Sequence, residues 1–184
     1  MAYTRRKRKP KVPKPQAINN ARPADGKKSR KDVTEALYEA VMYYFVKKTC
    51  SVHKEVGVEP WGRRRLDALV IDYPGNLTGV EIKSCLADFR SDKKWRNYLP
   101  YTNQLYFCFA PELTKSRCYP EIRKELKEAG VGILVLSETG RIVCSQKAKR
   151  RLVSIVYKYQ LFRKLAWREG DSKRNIHQTK RVYL

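Results

Sequence analysis

Apolar positions recur along this chain in two rhythms, one helical and one alternating, and the changes between them mark out the elements. Over residues 32–48, DVTEALYEAVMYYFVKK, Val33, Leu37, Val41 and Tyr44 share one helical face, while Met42, Phe45 and Val46 make most of the remaining surface apolar. Spacings of three and four predict a helix with Asp32 as its cap and basic residues at its end, packed on more than one side. The rhythm then shortens to two. SVHKEVGV (51–58), RRLDALVIDY (64–73) and NLTGVEIKS (76–84) read as three strands, the last two joined as a hairpin through Pro74-Gly75-Asn76.

Further along, 89–102 reads as a short polar-aromatic helix or loop, LYFCFA (105–110) as a buried strand and 114–129 as a helix ended by Gly130. VGILVLS (131–137) is another buried strand, and Thr139-Gly140 turns the chain into RIVCS (141–145). A last helix is expected over about 146–168, where Leu152, Ile155, Val156, Tyr159, Phe162 and Leu165 oppose a basic side. This order predicts an α/β protein, a mixed β-sheet with a central β-hairpin, flanked by helices.

Charge adds a second layer. The chain of 184 residues carries 41 Lys and Arg against 18 Asp and Glu, a formal +23. Residues 1–31 hold +11 of it and residues 146–184 hold +10, which leaves the middle nearly neutral at +2. Such a distribution divides the chain into a basic, proline-broken arm (1–28), a folded core (29–145) and a basic C-terminal helix and tail (146–184). Basic ends on a neutral core fit a polyanionic partner, DNA first, with RNA the alternative. Five cysteines without C-x-x-C spacing read as free thiols, and two distant histidines exclude a zinc or histidine-metal nuclease motif. No apolar run is long enough for a membrane span, so the expected setting is soluble and intracellular.

The densest chemistry lies on the hairpin. Side chains alternate along a strand, so Glu81 and Lys83 share one face, and Asp67 shares one with Leu69 and Ile71. A connection of three or five residues would bring Asp67 opposite Glu81 or Lys83, whereas a two-residue turn would separate them. Two neighbouring carboxylates persist cheaply only with a cation between them, and hard oxygen ligands suit Mg²⁺, with Mn²⁺ as a substitute. A lysine beside them can orient a nucleophile or stabilise the crowded phosphorus transition state. Metal-assisted hydrolysis of a phosphodiester is the chemistry that fits. Standing alone, Glu-x-Lys reads as an ordinary solvated strand pair.

Asp67, thirteen intervening residues and then Glu81-Ile82-Lys83, on a hairpin preceded by a helix, resembles the PD-(D/E)xK restriction-endonuclease-like superfamily. More closely, RRRLDAL…GVEIKSCLADFRSDKKWRNYLPYTNQLYFCFAP is similar to its MmcB-like DNA-repair branch. The resemblance implies a restriction-endonuclease-like fold and a Mg²⁺-dependent DNA nuclease, with Asp67 and Glu81 as metal ligands and Lys83 as the catalytic lysine. It also implies a role in repair, recombination or phage DNA processing, in the nucleoid-associated cytoplasm of a bacterial or phage-infected cell. Two positions depart from the pattern: Leu66 replaces the superfamily's proline, and Thr102-Asn103 stands where that branch carries Cys-Asp.

Other residues are weighed around this centre. Glu39 and Glu35 are candidate additional acids, although Glu35, three residues after Asp32, also suits a capping box. Arg63, Arg64 and Arg65 are candidate phosphate contacts, as are Lys93, Lys94 and Arg96; Trp95 either stacks on a base or fills the core. Lys147, Lys149, Arg150 and Arg151 are assigned to the backbone-gripping side of the last helix. A homodimer would suit the cutting of two strands, with no residue marking an interface. The alternative to an enzyme is a non-catalytic DNA- or RNA-binding module that keeps the nuclease fold.

Overall fold

The first helix, α1 (Arg30–Val46), is capped one turn earlier than the sequence predicts. The Ser29 hydroxyl accepts from the Asp32 N–H at 3.2 Å and the Asp32 carboxylate accepts from the Ser29 N–H at 3.1 Å, a closed capping box that leaves Glu35 without a capping duty. This computed structural model describes residues 29–59 and 64–171; the basic arm, Arg63 and the chain after 171 lie outside the described residues.

Six strands form one sheet in sequence order: β1 (Ser51–Gly57), β2 (Arg65–Ile71), β3 (Leu77–Lys83), β4 (Gln104–Phe109), β5 (Gly132–Leu136) and β6 (Ile142–Gln146). β1, β2 and β3 pair antiparallel, β3–β4 and β4–β5 pair parallel, and β5–β6 returns antiparallel. The fold is therefore the expected α/β arrangement, a six-stranded mixed sheet flanked by helices. Residues 72–76 connect the hairpin. Both Asp72 oxygens serve there, accepting from the Asn76 N–H and from its side-chain amide at 2.7 Å each, while Gly75 takes the φ of +80° that the turn requires. This odd connection sets Ala68 opposite Val80 and Ile71 opposite Leu77.

The sheet is covered on both faces. On one, Leu37, Val41 and Phe45 of α1 pack against Ala68, Val70, Val80, Ile82, Tyr106 and Cys108. On the other lie α2 (Leu86–Ser91), a 3₁₀ helix (Trp95–Tyr101), α3 (Pro111–Thr114), α4 (Tyr119–Glu128) and α5 (Ile155–Asp171). Their Phe89, Trp95, Ile122, Leu126, Leu161 and Leu165 close over Leu69, Leu105, Phe107, Phe109 and Ile133. Each fully buried side chain of this kind contributes about 1.5–3 kcal/mol, so both faces are needed to hold the sheet.

Two helices differ from expectation. The segment 114–129 divides into α3 and α4 on either side of residues 115–118. The last helix begins at Ile155, not 146, because residues 147–154 run without helical structure beside the sheet. There the Lys149 and Arg151 N–H groups bond to the carbonyls of Gly130 and Asn103, at 2.9 and 2.8 Å, in place of helical partners. Leu152, expected on a helix's apolar side, is 99% exposed. Beyond it, α5 joins the core through Leu161 and Leu165, and its Tyr157 hydroxyl donates to the Val58 carbonyl.

Candidate active site

The β2–β3 ladder stops at Ala68 and Val80, and the same count carried one residue further sets Asp67 against Glu81. Here the strands part. Oδ2 of Asp67 accepts from the Ile82 N–H at 2.7 Å, so a side chain takes a β3 donor that a continuing ladder would use. The neighbouring strand is irregular at the same level. Glu55, across from Asp67 on β1, has φ +50°, and the alternation breaks there: Ala68 packs on the α1 side, while Leu66 and Val56 join the opposite cluster. The hairpin is thus regular up to the end that carries Asp67 and Glu81 and locally broken at it.

Glu81 and Lys83 point away from Val80 and Ile82, toward the face that carries Phe107 and Phe109, their register partners on β4. They are 4% and 7% exposed, unusual for charged residues. Lys83 Nζ donates to Asp92 Oδ2 at 2.7 Å and lies 3.4 Å from Glu81 Oε2. Asp92, at the end of α2, is fixed in turn by the Lys94 N–H, which donates to its Oδ1 at 3.1 Å. The Tyr98 hydroxyl donates to the Arg65 carbonyl at 3.0 Å and ties the 3₁₀ helix to β2 beside this cluster.

Asp67, Glu81 and Asp92 offer three carboxylates to one ammonium, an excess of negative charge in a largely dry setting. Burial first, then the charge of Asp67, pushes the Glu81 carboxyl up to about 8, against the opposing pull of Lys83. Asp67 is also raised, mainly by burial, with the Ile82 N–H and Lys83 opposing it. Burial pulls Lys83 down, but the Asp92 hydrogen bond and the charges of Glu81, Asp92 and Asp88 outweigh it and leave its affinity for the proton raised. Lys83 therefore stays an ammonium, and the pair of acids holds a proton until something else neutralises it.

A divalent cation fits that role. Glu81 Oε1 is buried and has no hydrogen-bond partner, while the donors on offer are the hard oxygens of Asp67 and Glu81. Among the described residues no group of three or more His, Cys, Asp or Glu side chains is placed to hold an ion; two carboxylates alone would leave most of a Mg²⁺ coordination shell to water and substrate.

The other predicted residues are dispersed. Glu35 is bonded to Lys54 at 2.9 Å on the α1 side, and Glu39 is exposed on the same helix; neither is brought to the hairpin acids. Arg64 and Arg65 do not form a free cationic row, because Arg64 pairs with Glu59 at 2.6 Å and Arg65 with Glu55 at 3.4 Å. Trp95 is 2% exposed and meets Phe107 edge-on with ring centres 5.8 Å apart, so it fills the core and has no face left for a base. Arg96 lies 4.3 Å over the Trp95 ring and bonds to Glu125 at 2.8 Å. Lys93, Lys94, Lys147, Lys149 and Arg150 are exposed. Arg151 is not on a helix face: its guanidinium donates to the carbonyls of Ala129 and Gly130 and closes the end of α4.

Asn103 is explained by structure. Its Oδ1 accepts from the Leu77 N–H at 2.9 Å and its Nδ2 donates to the Arg151 carbonyl at 2.8 Å, at the opposite end of β3 from Lys83. An aspartate there would lack the donor for Arg151. The residue that sequence reasoning undervalued is Asp92. Its only local signal is an acid nine positions after Lys83, and its meaning depends on α2 folding back over the strand end.

Comparison with known proteins adds a family. The model of a family described as DNA repair protein MmcB-like matches residues 19–163, well over half the chain. A search of curated proteins found no match. Among solved structures, a protein of unknown function from Silicibacter pomeroyi is similar with a TM-score of 0.62 and 18% identity, covering 82% of this chain and 97% of its own. That likeness shows the fold. Pyrococcus furiosus SfsA in complex with Ca²⁺ gives a TM-score of 0.34 and 19% identity over 66% of this chain and 63% of its own, too distant to carry an argument.

Proposed function

Since the chain belongs to the MmcB-like DNA repair protein family, we propose that it is a DNA nuclease of PD-(D/E)xK type, with Asp67 and Glu81 as ligands for Mg²⁺ or Mn²⁺ and Lys83 as the catalytic lysine. The observation that carries this reading is the buried, unpartnered Oε1 of Glu81, on a carboxylate that feels the charge of Asp67 and has Lys83 beside it. A structural ion pair would leave no such atom exposed to a cost of about 1–3 kcal/mol. When bound, the metal supplies Lewis acidity to a water and to the phosphate oxygens.

The protein's own groups have separate tasks. Asp67, anchored by the Ile82 N–H, and Glu81, packed beside the Phe107 strand, define where positive charge is held. Lys83 presents an ammonium fixed by Asp92, aimed to stabilise charge that grows on the phosphate in the transition state. The aromatic layer of Phe89, Trp95 and Phe107 keeps the surroundings dry, which strengthens each of these interactions.

A second reading is favoured by the same clamp: Lys83 already has two acidic partners and is 7% exposed, as in a DNA-binding module whose site has become structural. Incubating the protein with single-stranded, double-stranded and branched DNA in Mg²⁺ or Mn²⁺ separates the two. Cleavage that stops on chelation is the expected result. Tight binding to every form with no cleavage of any would select the module.

A further inference from the structure

Of the described cations predicted beside the hairpin, Arg64, Arg65 and Arg96 are engaged in ion pairs while Lys93 and Lys94 stay exposed, and a second pair of exposed cations stands at the start of α1. A groove of about 500 Å³ runs between the first turn of α1 and α2, lined by Arg30, Lys31, Thr34, Ser84, Asp88 and Ser91. Ser84 follows Lys83 directly at the end of β3, so the groove borders the strand end that carries the candidate lysine. Asp88 links the two regions as well, since its charge acts on both Asp67 and Lys83. Arg30 and Lys31 are exposed and form no ion pair among the described residues, unlike Arg64, Arg65 and Arg96.

We propose that this groove holds the phosphate backbone of DNA next to the scissile bond, with Arg30 and Lys31 each pairing with a phosphate. This rests on the nuclease reading of Asp67, Glu81 and Lys83, and it adds the direction from which the strand arrives. Two exposed cations on one wall and the hydroxyls of Thr34, Ser84 and Ser91, beside the small Cys85 and Ala87, suit a phosphodiester chain, which needs charge and donors. The opposite wall carries Asp88, which repels phosphate and turns the strand toward the cationic side.

The test uses Arg30→Glu/Lys31→Glu in the full chain, with fluorescein-labelled single-stranded and duplex DNA in EDTA, read by anisotropy. Glutamates in the first turn of a helix oppose no dipole and accept the fold, so the melting temperature should hold. As an equal change of charge, Lys124→Glu/Lys127→Glu on α4 is the control. The groove variant should lose about 10- to 100-fold more affinity than the control. The neutral pair Arg30→Gln/Lys31→Gln should lower the slope of log affinity against log salt by about one to two. Equal losses in both charge-reversed proteins, or an unchanged slope, would overturn the proposal. Because binding is read without metal, an inactive wild type would remove the nuclease reading and still leave the groove measured.

Discussion

The two faces of the sheet rest on the same six strands, and only one of them hides charge. Against α1, β2 and β3 present Ala68, Val70, Val80 and Ile82, and the ionic contact on that side, Glu35 with Lys54, stays at the rim with both side chains about half exposed. On the opposite face the same two strands carry Asp67, Glu81 and Lys83 beside Phe107 and Phe109, with Glu81 and Lys83 almost fully enclosed. A rim pair is worth little and costs little. Enclosed ionisable groups cost several kcal/mol each unless neutralised, so this face carries a cost that the α1 face does not.

Moving a charge from one face to the other breaks the contrast most severely. Val80→Glu puts a carboxylate on the α1 face one residue from Glu81, with no partner waiting; urea denaturation should show a loss of about 4 kcal/mol or an unfolded protein. A neutral inner face should do the opposite. Folded Glu81 keeps its proton up to about 8 while the unfolded chain releases it near 4.5, so the folded state binds more protons in between and loses stability as pH rises through that window. Glu81→Gln has no such proton, and it should exceed wild type by up to about 3 kcal/mol at pH 7 and by much less at pH 5. Added Mg²⁺ should raise the melting temperature of wild type and not that of the variant, with apparent metal affinity increasing with pH up to about 8.

Smaller effects sharpen the comparison. Asp92→Asn removes the fixed partner of Lys83 and leaves the hairpin acids in place, so cleavage should slow about 10- to 100-fold, in kcat more than in KM, with Asp92→Glu restoring part of it. Glu35→Gln, on the rim of the other face, should change stability by less than about 1 kcal/mol and leave cleavage unaltered, as denaturation and a rate assay would register.

The legible parts of this molecule are those written in local periodicity. Alternation places Glu81 and Lys83 on one face, and only an odd connection lets Asp67 join them; residues 72–76 supply one because Asp72 and Gly75 build a five-residue turn. Contacts between distant segments were hidden. Nothing near Arg64 and Arg65 announces that Glu59 and Glu55 will engage them, and Trp95 reads equally well as a stacking platform until Phe107 is beside it. Residues 147–154 carry enough apolar and basic side chains to look helical, and the bonds to the carbonyls of Gly130 and Asn103 hold the chain out of a helix there.

The most direct measurement is cleavage of DNA by wild type and by Asp67→Asn in the same buffer, with Mg²⁺ and then with EDTA, and DNA affinity recorded alongside. The nuclease account predicts metal-dependent cleavage by wild type and a loss of about 100- to 1,000-fold in the variant at unchanged affinity. Equal cleavage by both proteins, cleavage that survives EDTA, or none from wild type on any DNA form would contradict it.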